Sequence, residues 1–252
     1  MRRALLLVAI AGCGDNIAVH TDAARADTAM VDSAITDAHL DAPARMVRVF
    51  GNVNYNGGLE NVRVITLEMT PAQSCLTDMN GDFYFDAPEG APLIMEVLPP
   101  LGSGLIPMVR GVVAEDHLRP RVFYLMGPPD IAAAASVSES FDPTEAIVEV
   151  DFRNSMIGGY GAILADGTQT LMPRFGLVYD TNGNPQVGEQ TVTGGDGTTL
   201  LLGGLPVGHA SFAPIVPAAA TLPCHTDGDA QPLPLLAGVT TWFDFECGNA
   251  TD

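Results

Sequence analysis

From Met46 onward, apolar and polar side chains alternate with a period of two through much of the chain. Val47, Val49 and Val53 alternate with Arg48 and Asn52, the pattern of a strand with one face in a core and the other in water. Asn56-Gly57-Gly58 marks a turn, and Val62, Val64 and Thr66 form a second alternating run. Cys75-Leu76-Thr77 leads into a tight turn at Asp78-Met79-Asn80-Gly81. Phe83 and Phe85 then point one way, and Asp82, Tyr84 and Asp86 the other. Pro88-Glu89-Gly90 is a further turn, Leu93, Met95 and Val97 make the next strand, and Val122 to Leu125 closes a first unit near Gly127.

Pro128-Pro129 breaks this run, and small residues from Ile131 to Ser140 bridge to a second one. Regularity returns at Ile147 to Phe152. A glycine-rich stretch follows at Gly158 to Gly161, then a strand at Phe175 to Tyr179 and a hairpin signal at Asn182-Gly183. Thr193 to Gly197, Leu200 to Leu202 and Pro206-Val207-Gly208 partly echo the turn, strand and turn at Thr77 to Gly90. The echo predicts a second, diverged sandwich; a single larger β-domain is the alternative. At the end, Phe243, Phe245 and Cys247 share one strand face, the core face. Trp242 is left as that strand's outer residue or as a stacking platform. With 27 glycines and 19 prolines, the pattern predicts an all-β chain of two small antiparallel β-sandwiches of immunoglobulin-like or transthyretin-like type. The first spans 46–127 and the second 128–252.

The first unit resembles the carboxypeptidase regulatory-like, transthyretin-like β-sandwich family. The resemblance rests on Val49-Phe50-Gly51-Asn52-Val53, the run Val62 to Leu67, Thr77-Asp78-Met79-Asn80-Gly81-Asp82-Phe83-Tyr84-Phe85, and Pro88-Glu89-Gly90. It implies a sandwich of about seven strands that supports folding, adhesion or display, without catalysis. Asp78, Asn80, Asp82 and Glu89 also have the spacing of a calcium loop. Such a loop needs glycine at its sixth position, where this chain has Phe83, so the segment reads as a β-turn.

Upstream, residues 13–45 hold no aromatic side chain, and Asp22, Asp27, Asp32 and Asp37 recur every five residues. That spacing fits neither a helix nor a strand face and predicts a disordered, self-repelling stalk. The chain opens Met1-Arg2-Arg3, followed by a short apolar run too short to span a bilayer. Ile10-Ala11-Gly12-Cys13 resembles the bacterial lipobox. That resemblance implies a signal peptide at 1–12, cleavage before Cys13, and diacylglycerol and palmitate-type acyl chains on Cys13. Several acyl chains make a stable anchor, because each buried CH₂ contributes roughly 0.8 kcal/mol. Gly14 after the cysteine favours the outer membrane of the cell envelope.

The formal charge is −19 at pH 7, and the chain has no lysine. No basic patch is available for phosphates, so nucleic acid is excluded as a partner. Without lysine there is no Schiff base and no lysine–asparagine isopeptide crosslink. His20, His39, His117, His209 and His225 show no zinc spacing, and no Gly-x-Ser-x-Gly occurs. Adjacent Cys224-His225 is no nucleophile pair by itself, and His225 reads as an exposed loop residue. We therefore expect no enzyme, no cofactor and no metal site. In an oxidising compartment Cys224 and Cys247 can form a disulfide across the intervening loop, with two buried thiols as the alternative, and Cys75 is left in the other sandwich. The function expected is a membrane-anchored binding or adhesion module for an envelope protein or glycan; the alternative is a structural envelope lipoprotein with no specific small ligand.

Overall fold

The computed structural model describes residues 44–247 except 117–120, 129–130, 133–134, 136–140, 154–157, 180–184, 188–190, 193–197, 221–222 and 227–228. Cys13, the stalk aspartates, Asn182-Gly183 and Thr193 to Gly197 lie outside the described residues. Seven strands precede the break after Gly127: β1 (Met46–Asn54), β2 (Arg63–Thr66), β3 (Ser74–Leu76), β4 (Asp82–Pro88), β5 (Pro92–Leu98), β6 (Met108–Val113) and β7 (Arg121–Tyr124). After it come β8 (Ala146–Arg153), β9 (Gly161–Asp166), β10 (Gln169–Leu171), β11 (Phe175–Tyr179), β12 (Pro185–Val187), β13 (Thr198–Leu205), β14 (Gly208–Ile215), β15 (Cys224–Thr226), β16 (Leu233–Leu235) and β17 (Thr240–Cys247). No helix among the described residues is long and apolar enough to cross a membrane.

The two units repeat one pairing scheme. In the first, β4-β1-β7 forms one sheet, with β1–β4 antiparallel and β1–β7 parallel. In the second, β13-β8-β17 follows the same order with the same directions. The opposing layers also match: β6-β5-β2-β3 in the first unit and β16-β14-β9-β10 in the second, all antiparallel. Strands β11, β12 and β15 are additions to the second unit. The fold is therefore all-β and built as two sandwiches, with one duplicated topology.

Each sandwich has its own apolar centre. Val47, Val49, Val53, Phe83, Phe85, Leu93, Met95 and Phe123 fill the first, and Val148, Val150, Phe152, Leu200, Leu202, Phe243 and Phe245 the second. The sandwiches are nevertheless fused edge to edge. Strand β17 pairs in parallel with β8 of its own unit and with β6 of the first unit. This joins both units into one ten-stranded sheet.

The fusion corrects the expectation for Trp242. Relative to its own sandwich it does face outward, but the first unit covers it. Trp242 is 1% exposed and belongs to the first unit's apolar cluster. Its strand is buried on both faces, so alternation alone could not show its surroundings.

Cys224 and Cys247 form the disulfide, with Cα atoms 4.1 Å apart. They face each other across the β15–β17 ladder, and the bond closes a segment of 23 positions. Closing a loop of that size stabilises by about 3 kcal/mol on the chain-entropy account. Cys75 is a buried thiol on β3, in the other sandwich. His225 is exposed, but it lies on β15 opposite Glu246 and not in a loop.

Two glycines owe their place to aromatic neighbours. Gly51 lies opposite Phe83 in the β1–β4 ladder, and Gly203 opposite Phe175 in the β11–β13 ladder. In each pair the ring lies across the glycine: a Cβ on Gly51 would sit 2.2 Å from the Phe83 ring, and one on Gly203 2.0 Å from that of Phe175. A ring that covers a strand glycine restores the apolar contact the glycine lacks. We expect Gly51→Ala to displace the Phe83 ring and to cost about 1–3 kcal/mol. Urea unfolding of the two proteins measures this, and equal midpoints would show that the ring does not depend on the glycine.

Candidate functional site

The outer face of β4-β1-β7 is where this fold places aromatic side chains in water. Even-numbered positions of β1 and β4 point away from the core. Phe50 and Tyr84 are opposite one another in the ladder, with ring centroids 6.1 Å apart. Phe50 is 44% exposed and Tyr84 is half-buried. Arg48 donates to Asp86 through Nε at 2.9 Å and Nη2 at 3.2 Å, and its guanidinium lies 4.3 Å from the Tyr84 ring centre. Asn52 donates to Asp82 Oδ1 at 2.7 Å and to the Asn80 carbonyl at 2.8 Å. On β7, Tyr124 is 53% exposed and meets Trp242 edge-on at 6.0 Å. Rings held by neighbouring polar pairs can bind without a large ordering cost, which is why rigid aromatics dominate binding surfaces.

The turn that leads into β4 is tied down by its own side chains. Asp78 Oδ1 accepts the amides of Asn80 and Asp82. Thr77 Oγ1 accepts the Val62 amide and donates to the Leu59 carbonyl. Gly81 takes a positive φ of 83°, where a Cβ would meet the Val53 carbonyl at 2.3 Å. This is a β-turn closed by its own aspartate, a local bond of the kind that favours turns. Arg45, the last residue of the segment 13–45, pairs with Glu89 and Asp116 on the sandwich.

The second notable cluster lies at the joint. Arg110 of β6 is 1% exposed. It donates to Asp229 Oδ1 from Nε at 3.3 Å and from Nη2 at 3.0 Å. It also donates to Asp244 Oδ2 at 2.5 Å and to the Val122 carbonyl at 2.9 Å. The guanidinium is 4.2 Å from the centre of the Trp242 ring. Arg153 of β8 donates to the same Asp244 oxygen at 2.6 Å. Beside them, Asp151 accepts from Thr199 Oγ1 at 2.6 Å and from the Trp242 indole at 3.1 Å. Asp229 has a further task. Between the end of the β6 ladder at Trp242 and the start of the β15 ladder at Phe245, its Oδ2 accepts the Asp244 amide at 2.8 Å.

Burial alone would lower the Arg110 pKa, but Asp244 and Asp229 together hold it above the ordinary value. Burial pushes Asp151 up to about 6, helped by the neighbouring Asp244 charge. Burial pushes Asp229 up to about 6 as well, against the pull of Arg110. Each of these polar groups thus serves another group of the protein. Among the described residues, no group of three or more His, Cys, Asp or Glu is arranged to hold a metal ion.

Sequence reasoning missed this cluster, although a signal was present. A lone arginine within Met108 to Val113, and a lone aspartate within Trp242 to Phe245, are charges inside apolar strand runs. Buried charges are paired, so two such interruptions point to one another. Of the residues singled out in the sequence, Cys224 and Cys247 are brought together, His209 and His225 are on separate strands, and His20, His39, His117 and Cys13 lie outside the described residues.

No family model matches this chain, and no curated protein sequence does. Among solved structures it is similar to the Bacillus anthracis TIE protein, at 11% identity and a TM-score of 0.24 over 81% of this chain and 34% of that one. It is also similar to the shaft pilin SpaA of Lactobacillus rhamnosus GG, at 9% identity and a TM-score of 0.23 over 83% of this chain and 100% of that one. A third is GBS52, the minor pilin of Streptococcus agalactiae, at 11% identity and a TM-score of 0.20 over 82% and 98%. This chain thus spans about a third of the first protein's length and essentially all of the two pilins. Likeness at this level assigns neither a family nor a function.

Removing the buried cation tests the joint. We expect Arg110→Ala to cost about 3–5 kcal/mol, because Asp229 and Asp244 would stay buried without their counter-charge. Urea unfolding at neutral pH measures it; a loss below about 1 kcal/mol would match a solvent-exposed ion pair instead.

Proposed function

We propose that this chain is a non-catalytic binding or adhesion module of the cell envelope, anchored by lipid on Cys13 and carried outward by the segment 13–45. It meets a protein or glycan partner through the outer face of β4-β1-β7. The observation that carries this reading is the grouping of Phe50, Tyr84 and Tyr124 on one exposed sheet, beside the Arg48–Asp86 and Asn52–Asp82 pairs. Large apolar rings left in water on a sheet face suit a partner that stacks or packs on them. The buried charges, by contrast, are spent on one another at the joint. A second reading, a structural envelope lipoprotein, draws on the fusion of both units into one sheet, which suits a spacer that resists bending.

Two measurements separate these readings. Detergent phase partitioning should move wild type into the detergent phase and Cys13→Ser out of it. Retention of the processed serine variant in detergent would remove the lipid anchor from the proposal. Capture from envelope extracts on the immobilised protein should be saturable and at least about tenfold weaker for the Phe50→Ser/Tyr84→Ser double variant, the scale of a binding hot spot. Saturable capture that is unchanged by the double variant would move the binding site elsewhere. No saturable capture at all would favour the structural reading.

A further inference from the structure

The joint carries an unbalanced charge count. Among the described residues, Asp151, Asp229 and Asp244 converge there on Arg110 and Arg153. The surrounding elements contribute groups of both signs. Glu149 and Arg153 share the Asp151 face of β8, and Glu246 shares the Asp244 face of β17, as the strand alternation dictates. Strand β6 contributes Arg110, β13 contributes Thr199, β11 carries Tyr179, and β7 brings Tyr124 against Trp242. Arg121 on β7 and His225 on β15, opposite Glu246, are the basic groups these strands add.

One oxygen of this cluster is also conspicuous. Asp244 Oδ2 accepts from both arginines, whereas Asp244 Oδ1 is buried with no hydrogen-bond partner. Asp151 is its direct neighbour across the β8–β17 ladder. A buried carboxylate oxygen without a donor is costly when charged. One proton held within the cluster would balance three carboxylates against two guanidiniums.

We propose that the Asp151–Asp244–Asp229 cluster takes up one proton on mild acidification, and that this uptake tightens the hold of the C-terminal strand on both sandwiches. The burial that raises Asp151 and Asp229 to about 6 is consistent with this. The sign follows from linkage. Both folded-state values lie above the reference 3.8, so the folded protein binds the proton more tightly than the unfolded chain does. Stability from this cluster is fully present only below the unfolded value and is lost as pH rises through about 6. The groups interact, so they titrate as a unit. The joint is thus firmest in mildly acid surroundings and loosens toward neutrality.

Trp242 provides the reporter, being the one tryptophan of the chain and a donor to Asp151. The full chain, labelled with ¹⁵N-tryptophan and held in detergent, should give one indole N–H signal whose shift titrates between about pH 5 and 7. Asp244→Asn removes the neighbouring charge and should lower the midpoint. Thr199→Val removes a hydrogen bond that favours the charged Asp151, and should raise it. Urea unfolding should show stability rising as pH falls through the same window. A flat indole shift across the window, or a midpoint that neither variant moves, would overturn the proposal, as would stability that falls on acidification. Should Asp244→Asn not fold, the comparison of wild type with Thr199→Val decides alone.

Discussion

One buried guanidinium organises the meeting of the two halves. Arg110 stands in the middle of β6, inside the first sandwich's sheet, where solvation by water is not available to it. A charge in that position is tolerable only with opposite charge and hydrogen bonds on several sides. Asp229 and Asp244, both from the last part of the chain, supply the charge, and the Val122 carbonyl supplies a further acceptor. The first sandwich therefore contains a requirement that only the second can meet. An apolar joint of the same area would bury as much surface but would not dictate register, because apolar contact is non-directional. Forked hydrogen bonds to two carboxylates do dictate it.

The same contact deals with two exposed sheet edges. A strand edge with free amides and carbonyls invites unwanted pairing. Strand β17 occupies the free edge of β6, and β6 in turn occupies that of β17. The corresponding edge of the first unit, along β7, is covered differently, with Arg110 donating to Val122 and Tyr124 lying against Trp242. Topologically equivalent strands, β7 and β17, thus receive unequal partners. The duplication is symmetric in pairing scheme, yet its junction is necessarily asymmetric, since each unit offers a different edge. The disulfide reinforces the same strand from beyond the end of the β6 ladder, through β15.

How far the sequence discloses this depends on where water lies. Strands β1 and β4 alternate cleanly because one face is wet, and their positions were legible, including Arg48, Asn52 and Tyr84 as outward residues. Strand β6 was not legible: Met108 to Val112 are all buried, so no period of two appears. Strands β15 and β16 are three residues each, and the latter contains Pro234, a residue that argues against a strand when read alone. The Cys224–Cys247 pairing was accessible from spacing and strand direction. The Arg110 cluster joins residues 119 and 134 positions apart, and its one trace in the sequence is a lone charge inside each of two apolar runs. The Trp242 assignment also failed. Its outward direction was right for its own sandwich, and its cover came from the other.

The joint and the aromatic face are mechanically linked through β7. That strand is hydrogen-bonded to β1, which carries Arg48 and Phe50, and it contributes Tyr124 to the outer surface. Its other side rests on Arg110 and Trp242. Interfaces built from packed side chains and strong hydrogen bonds transmit small shifts because they do not deform continuously. Arg110 links Asp244 to the Val122 carbonyl of β7, two residues before Tyr124. The strand that presents Tyr124 is thus held on its other side by the ion cluster of the joint.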